Sequence, residues 1–116
     1  MGTNRLRMTG PVRQVMDLLI ACVAADEPAW GLRVCDRTGL GPGTVYPILE
    51  RLERAGWVAS AMEPGQPSAR PPRRLYTVTG TGRAEYQAAL AARAARPRRW
   101  VAAAEFILHR PSRRPA

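Results

Sequence analysis

The chain has 116 residues, of which 46% are apolar and 23% charged, and a formal net charge of +9. A chain of this size reads as one small domain, with room for an appended helix, able to bury a modest core, and its surplus of positive charge favours a polyanionic partner. The longest apolar run, residues 18–25, is far too short for a membrane span, and no apolar leader with a cleavage site follows the N-terminal arginines, so the expectation is a soluble cytoplasmic protein without a membrane partner.

All eighteen basic residues are arginine. Arginine suits phosphate and guanine because its planar fork donates two parallel hydrogen bonds. Coding bias in a GC-rich genome is the favoured reason for arginine in place of lysine, but it does not explain the surplus of charge. The two cysteines, Cys22 and Cys35, form no C-x-x-C pair, and the only histidine is His109. A metal site is therefore not expected, no cofactor is implied, and the cysteines read as buried thiols.

Residues 1–10 read as a flexible basic arm. From Pro11 onward, Val12, Val15, Met16, Leu19, Ile20 and Val23 recur at helical spacing, which predicts a first helix over 11–25. A second, shorter helix is expected over 30–38, with Leu32, Val34 and Cys35 as its apolar side and Gly39 as its left-handed stop. Gly41-Pro42-Gly43 then reads as a tight turn. A third helix is expected to begin at Thr44 as N-cap, to carry Pro47 within its first turn and to end at Gly56. Its apolar stripe is Val45, Ile48, Leu49 and Leu52, while Thr44, Pro47, Arg51 and Arg54 line another side.

Residues 57–63 and 74–79 alternate like paired strands. The loop between them holds four prolines and, beyond its start at Pro64, no acidic residue, so it reads as a semi-extended arginine-bearing wing. A fourth helix is expected over 81–95, broken or kinked at Pro97, with a further helix over 98–108 and a disordered tail over 110–116. The expected organisation is thus an arm (1–10), a winged helix-turn-helix (11–79), C-terminal helices (80–109) and a tail (110–116). The fold class is mainly α with a small β-wing.

A helix pair joined by a glycine-containing turn, followed by a basic hairpin, has the order that places one helix in the major groove and a β-loop on the backbone beside it. Thr44, Pro47 and Arg51 would face base edges, with Tyr46 and Arg37 on phosphates. Arg70, Arg73 and Arg74 of the wing would neutralise further phosphates without reading sequence. Nothing in the chain forms a nucleophile–histidine–acid set, a phosphate loop or a metal cluster, so an enzyme is not expected. A winged protein-interaction module that does not read DNA is the alternative. At the C-terminal end Leu90, Trp100, Ile107 and Leu108 are large apolar groups with little of the chain to cover them, which favours self-association. Arg93, Arg96, Arg98 and Arg99 cluster around Pro97 and are read as solvated, with flanking DNA or an acidic partner as alternatives.

The segment from Thr44 through Glu53, followed by Gly56-Trp57-Val58, then Arg70 through Thr79 and Gly82, resembles the PadR family of bacterial transcription regulators. The resemblance covers roughly residues 11–95. It implies a homodimeric winged helix-turn-helix repressor, with C-terminal helices pairing with helix 1 of the partner and Val12 on the helix 1 side; the twofold symmetry of such a dimer leads to the expectation of a near-palindromic operator. In small drug-binding members, aromatic effectors stack on a tryptophan of the last helix. The corresponding position here is Arg93, and Trp100 lies two turns further on, so these are the candidate effector contacts.

Overall fold

Thr9 starts the first helix: its backbone is extended, and the Val12 amide donates to its hydroxyl at 3.3 Å. In the computed structural model, which describes residues 6–65 and 70–108 with side chains as far as residue 95, six elements follow in order. They are α1 (Gly10–Ala24), α2 (Gly31–Thr38), α3 (Pro42–Arg54), β1 (Val58–Met62), β2 (Arg74–Val78) and α4 (Gly80–Leu108). The chain divides into two compact units, Met1–Tyr86 and Gln87–Ala116. The first holds the winged fold and the opening turns of α4; within the second, the described element is the rest of α4. Residues 1–5 of the expected arm and the expected tail lie outside the described residues.

The core of the first unit is made by the stripes that the periodicity marks. Val15, Met16 and Leu19 of α1, Val34 of α2, and Val45, Leu49 and Leu52 of α3 are each fully buried. Two positions differ from expectation. Val23 is 42% exposed, and Cys22 takes the inward place at the end of α1. Leu32, expected on the apolar side of α2, is 61% exposed. The inward face of α2 is instead Gly31 and Val34, three residues apart, which turns Leu32 to solvent. Gly39 ends α2 with φ +79 and Gly56 follows α3 with φ +81, both as the glycine pattern predicts.

The start of α3 is a correction. Gly41 is the N-cap, without a side-chain cap bond, and Pro42 and Gly43, expected in a turn, are the first helical residues. A proline at the first position needs no amide partner and brings a helical φ with it, so the helix opens earlier than a threonine cap would place it. Thr44 is therefore the third residue of α3, and Pro47 lies inside the helix rather than in its first turn. The amide that Pro47 lacks would have bonded Gly43, which is exposed and can be served by water.

The strands pair antiparallel with Val58 opposite Val78 and Met62 opposite Arg74. The α1–α2 connection adds to this small sheet through a bridge from Trp30 to Leu75, with the Tyr76 amide donating to the Ala29 carbonyl at 2.8 Å. Thr79 caps α4, accepting from the Gly82 amide at 2.9 Å. Pro97 neither ends nor divides α4, and the helix expected over 98–108 is its continuation. A proline removes only its own amide donor and crowds one carbonyl, so the bonds on either side can carry a helix past it.

The opening turns of α4 are tied to the rest of the unit. Trp57 donates from Nε1 to Glu85 Oε1 at 2.8 Å, and its ring meets Tyr86 edge-on with centroids 6.2 Å apart. The Tyr86 hydroxyl donates to Asp17 Oδ1 at 2.6 Å. Gly82 lies directly against the Trp57 backbone, where an added Cβ would come within 2.6 Å of Trp57 Cα. Gly82→Ala should therefore cost about 1–3 kcal/mol of stability through overpacking against rigid backbone. Gly80→Ala, with nothing within 4 Å, should change it by less than about 0.5 kcal/mol in the same denaturant titration. Burial and then the Asp17 bond push the Tyr86 phenol up to about 12. Its folded value exceeds the unfolded one, so this contribution to stability is complete below about pH 10 and is lost as pH rises through 12. An ultraviolet titration should show a late tyrosine step that Tyr86→Phe removes.

Candidate nucleic-acid interface

Because α3 buries Val45, Ile48, Leu49 and Leu52, its other side is turned to solvent. Thr44, Pro47, Arg51 and Arg54 are all exposed. Thr44 and Arg51 are two helical turns apart, about 10 Å along the axis. Arg54 pairs with Glu50 at 3.8 Å. Among the described residues, the Arg51 side chain has no hydrogen bond or ion pair, so its donors are free for an external acceptor. The residues expected to face bases are thus brought together on one open surface.

Tyr46 lies at the boundary of the two faces, 41% exposed, with its phenol resting on Gly31 at the start of α2. Only a glycine leaves room for it there. Arg37, expected as a backbone clamp at the end of α2, is exposed but has a carboxylate beside it: Glu27 at 3.9 Å. Glu27 also binds Arg33 at 3.3 Å, and Arg33 donates to the Pro28 carbonyl at 3.0 Å.

The wing arginines are less free than their sequence suggests. Arg70 is paired with Glu63 at 2.8 Å. The Arg73 guanidinium lies 3.9 Å from the Trp30 ring centroid, on the indole face. Arg74 donates to Ser60 Oγ at 3.0 Å, and Ser60 donates to Glu53 at 2.7 Å. The Arg70 fork and the Arg73 amide hold the Glu63 carboxyl down at about 2, and the same fork raises Arg70. Residues 66–69 of the loop lie outside the described residues.

Glu63 and Trp30 were not expected in this surface. Glu63 had a signal: it stands at the foot of the loop, and the strand register sets it opposite Arg73, whose carbonyl accepts its amide at 2.7 Å. Trp30 had none, because only the Trp30–Leu75 bridge brings it to the wing.

Of the residues expected at a dimer interface, Val12 is 3% exposed and belongs to the core of its own chain rather than to an open face. Its place among the inward residues of α1 is the reason. Leu90 is half-buried. Trp100, Ile107 and Leu108 are on α4, but their side chains lie outside the described residues, as do those of Arg96, Arg98 and Arg99. Arg93 is exposed. An open groove of about 460 Å³ lies between the α1–α2 turn and the sheet, lined by Val23, Pro28, Ala59, Leu75 and Tyr76 among others. Among the described residues no three metal-ligating side chains cluster, and no helix is long and apolar enough to cross a membrane.

The α2–turn–α3 pair with the β1–β2 hairpin beside it is a winged helix-turn-helix. The transcriptional regulator PadR-like family matches residues 22–88, which takes in this whole motif and the base of α4, and the chain belongs to that family. A PadR-like transcription factor from Bacteroides fragilis superposes with a TM-score of 0.51 at 22% identity, over 84% of this chain and 91% of its own, and shares the fold. The protein smu.1704 from Streptococcus mutans UA159 aligns with a TM-score of 0.49 at 22% identity, over 94% of this chain and 98% of its own. No curated protein matches the chain.

The Tyr46–Gly31 contact makes a local prediction. Gly31→Ala should drive the Tyr46 ring off α2, abolishing nuclear Overhauser contacts between that ring and residue 31. The obstructing atoms are the end of a flexible side chain, so the loss of stability should stay near 1 kcal/mol. A loss above 3 kcal/mol would show that the tyrosine cannot be displaced.

Proposed function

We propose that this PadR-family regulator is a sequence-specific DNA-binding repressor that works as a homodimer. The observation that carries the reading is the open face of α3, where Thr44, Pro47 and an uncommitted Arg51 stand together beside an arginine-bearing wing. An exposed guanidinium with no internal partner can form the two-bonded contact to guanine without first breaking another bond. Arg37, Tyr46, Arg70, Arg73 and Arg74 are the proposed phosphate contacts, and the net charge of +9 supports attraction to a polyanion.

Leu90, Trp100, Ile107 and Leu108 of α4 are the proposed dimer contacts, because large apolar groups on a helix are not buried by that helix itself. In a twofold dimer the two α3 helices would meet major grooves about one helical turn, ~10 bp, apart on a near-palindromic site. An aromatic effector that changes the spacing of these helices would relieve repression, with Arg93 and Trp100 as candidate contacts and a cytoplasmic setting. The internal partners of the wing arginines favour a second reading, a winged module that binds protein rather than DNA.

Salt separates the two. A DNA reader should lose affinity with a slope of about −0.9 in log K against log salt for each phosphate neutralised. Arg51→Ala should relax base preference at one position of each half-site and cost roughly 1–3 kcal/mol. Arg73→Ala should weaken binding to all duplexes alike. Selection from a random DNA pool with each variant measures both, and equal, sequence-blind losses would show that α3 is not the reader.

A further inference from the structure

The wing holds its arginines already engaged. Arg70 and Glu63 form a fork with two bonds, Nη1 to Oε1 at 2.8 Å and Nη2 to Oε2 at 3.2 Å. Glu63 Oε1 also accepts the Arg73 amide at 3.2 Å. Trp30 carries Arg73 on its ring and Arg33 at 5.1 Å from the same centroid. The groups are nonetheless accessible: the side chain of Arg70 is 39% exposed and that of Glu63 is 23% exposed.

A carboxylate and a phosphate diester compete for the same planar fork. In the free chain the carboxylate wins because it is intramolecular and always near. An exposed pair of this kind stabilises little, so a fixed row of phosphates can displace it. Resting on the DNA-binding reading above, we propose that Glu63 and Trp30 form a two-point latch on the wing. Duplex binding exchanges Glu63 for a phosphate at Arg70 and draws Arg73 off Trp30. The Glu63 carboxyl, held near 2, stays charged throughout the neutral range, so the competitor is present under all working conditions.

Glu63 could instead act only by shaping the loop, and Glu63→Gln distinguishes the two roles. Glutamine keeps the length and an acceptor for the Arg73 amide but removes the charge. The latch predicts that E63Q binds random-sequence duplex roughly 2- to 5-fold more tightly at low salt, the worth of one exposed ion pair. The gain should shrink as salt rises, and it should vanish in an Arg70→Gln background, because Glu63 acts through that side chain. A loop-shaping role predicts equal or weaker binding. A second measurement uses the wild-type protein labelled with fluorotryptophan, the Trp30 resonance being assigned with Trp30→Phe. Saturating duplex should move that resonance as Arg73 leaves the ring. E63Q binding no tighter than wild type, or an unmoved Trp30 signal at saturation, overturns the latch while the DNA reading stands. Absence of duplex binding by both proteins at low salt overturns the DNA reading, and the latch with it.

Discussion

The open face of α3 depends on the burial of four side chains. Val45, Ile48, Leu49 and Leu52 fill the space among α1, α2 and β1, and each contributes roughly 1.5–3 kcal/mol by leaving water. Rotating α3 by one residue, about 100°, would bring this stripe toward solvent. The sum also decides the fate of Pro47, whose cost inside a helix is about 3 kcal/mol or more. Buried neighbours on both sides, Val45 and Ile48 to Leu49, exceed that cost, so the helix continues through the proline. The polar face of α3 is therefore set by what lies behind it.

Trp57 performs a similar task at the other end of the wing. The left-handed turn at Gly56 sends the chain from α3 into β1, and Trp57 lands 6% exposed between the sheet and α4. Its indole nitrogen holds Glu85, its ring meets Tyr86, and its backbone leaves room only for glycine at position 82. Tyr86 in turn reaches Asp17 on α1. The opening turns of α4 thus belong to the winged unit, anchored by aromatic packing and by two hydrogen bonds that would be costly to leave unmade.

Local patterns were legible in the sequence, and long-range partners were not. The α3 stripe follows from spacing alone, as do the α1 stripe up to Val23 and the glycine stops at Gly39 and Gly56. The open face of Thr44, Pro47 and Arg51 follows from the stripe opposite it. At the start of α3 threonine and proline both signal a helix beginning, and Pro42 opens the helix two residues before Thr44. Pro97 signals a break or a kink, but it removes one donor among many, and α4 runs through it to Leu108. The wing was legible as charge, but its chemistry was not. Arg70 and Arg73 find Glu63 and Trp30 through strand register and the Trp30–Leu75 bridge, and neither is a property of the loop itself.

A single net charge therefore misdescribes this protein. Among the described residues, Glu27, Glu50, Glu53, Glu63 and Glu85 each hold a hydrogen bond or ion pair, and Asp17 holds Tyr86. A paired carboxylate and guanidinium form a dipole whose field fades quickly, while the surplus arginines still act over a Debye length of about 8 Å. Attraction at a distance and contact at the surface are then governed by different residues. On the proposed reading the surplus draws a polyanion in, but what it meets first differs between elements: α3 offers a guanidinium with nothing to give up, and the wing offers guanidiniums that must each leave a partner. On the proposed reading, the base-facing contact can form at once and the phosphate contacts of the wing form by exchange. That ordering limits how much of the affinity comes from charge alone, which every duplex shares.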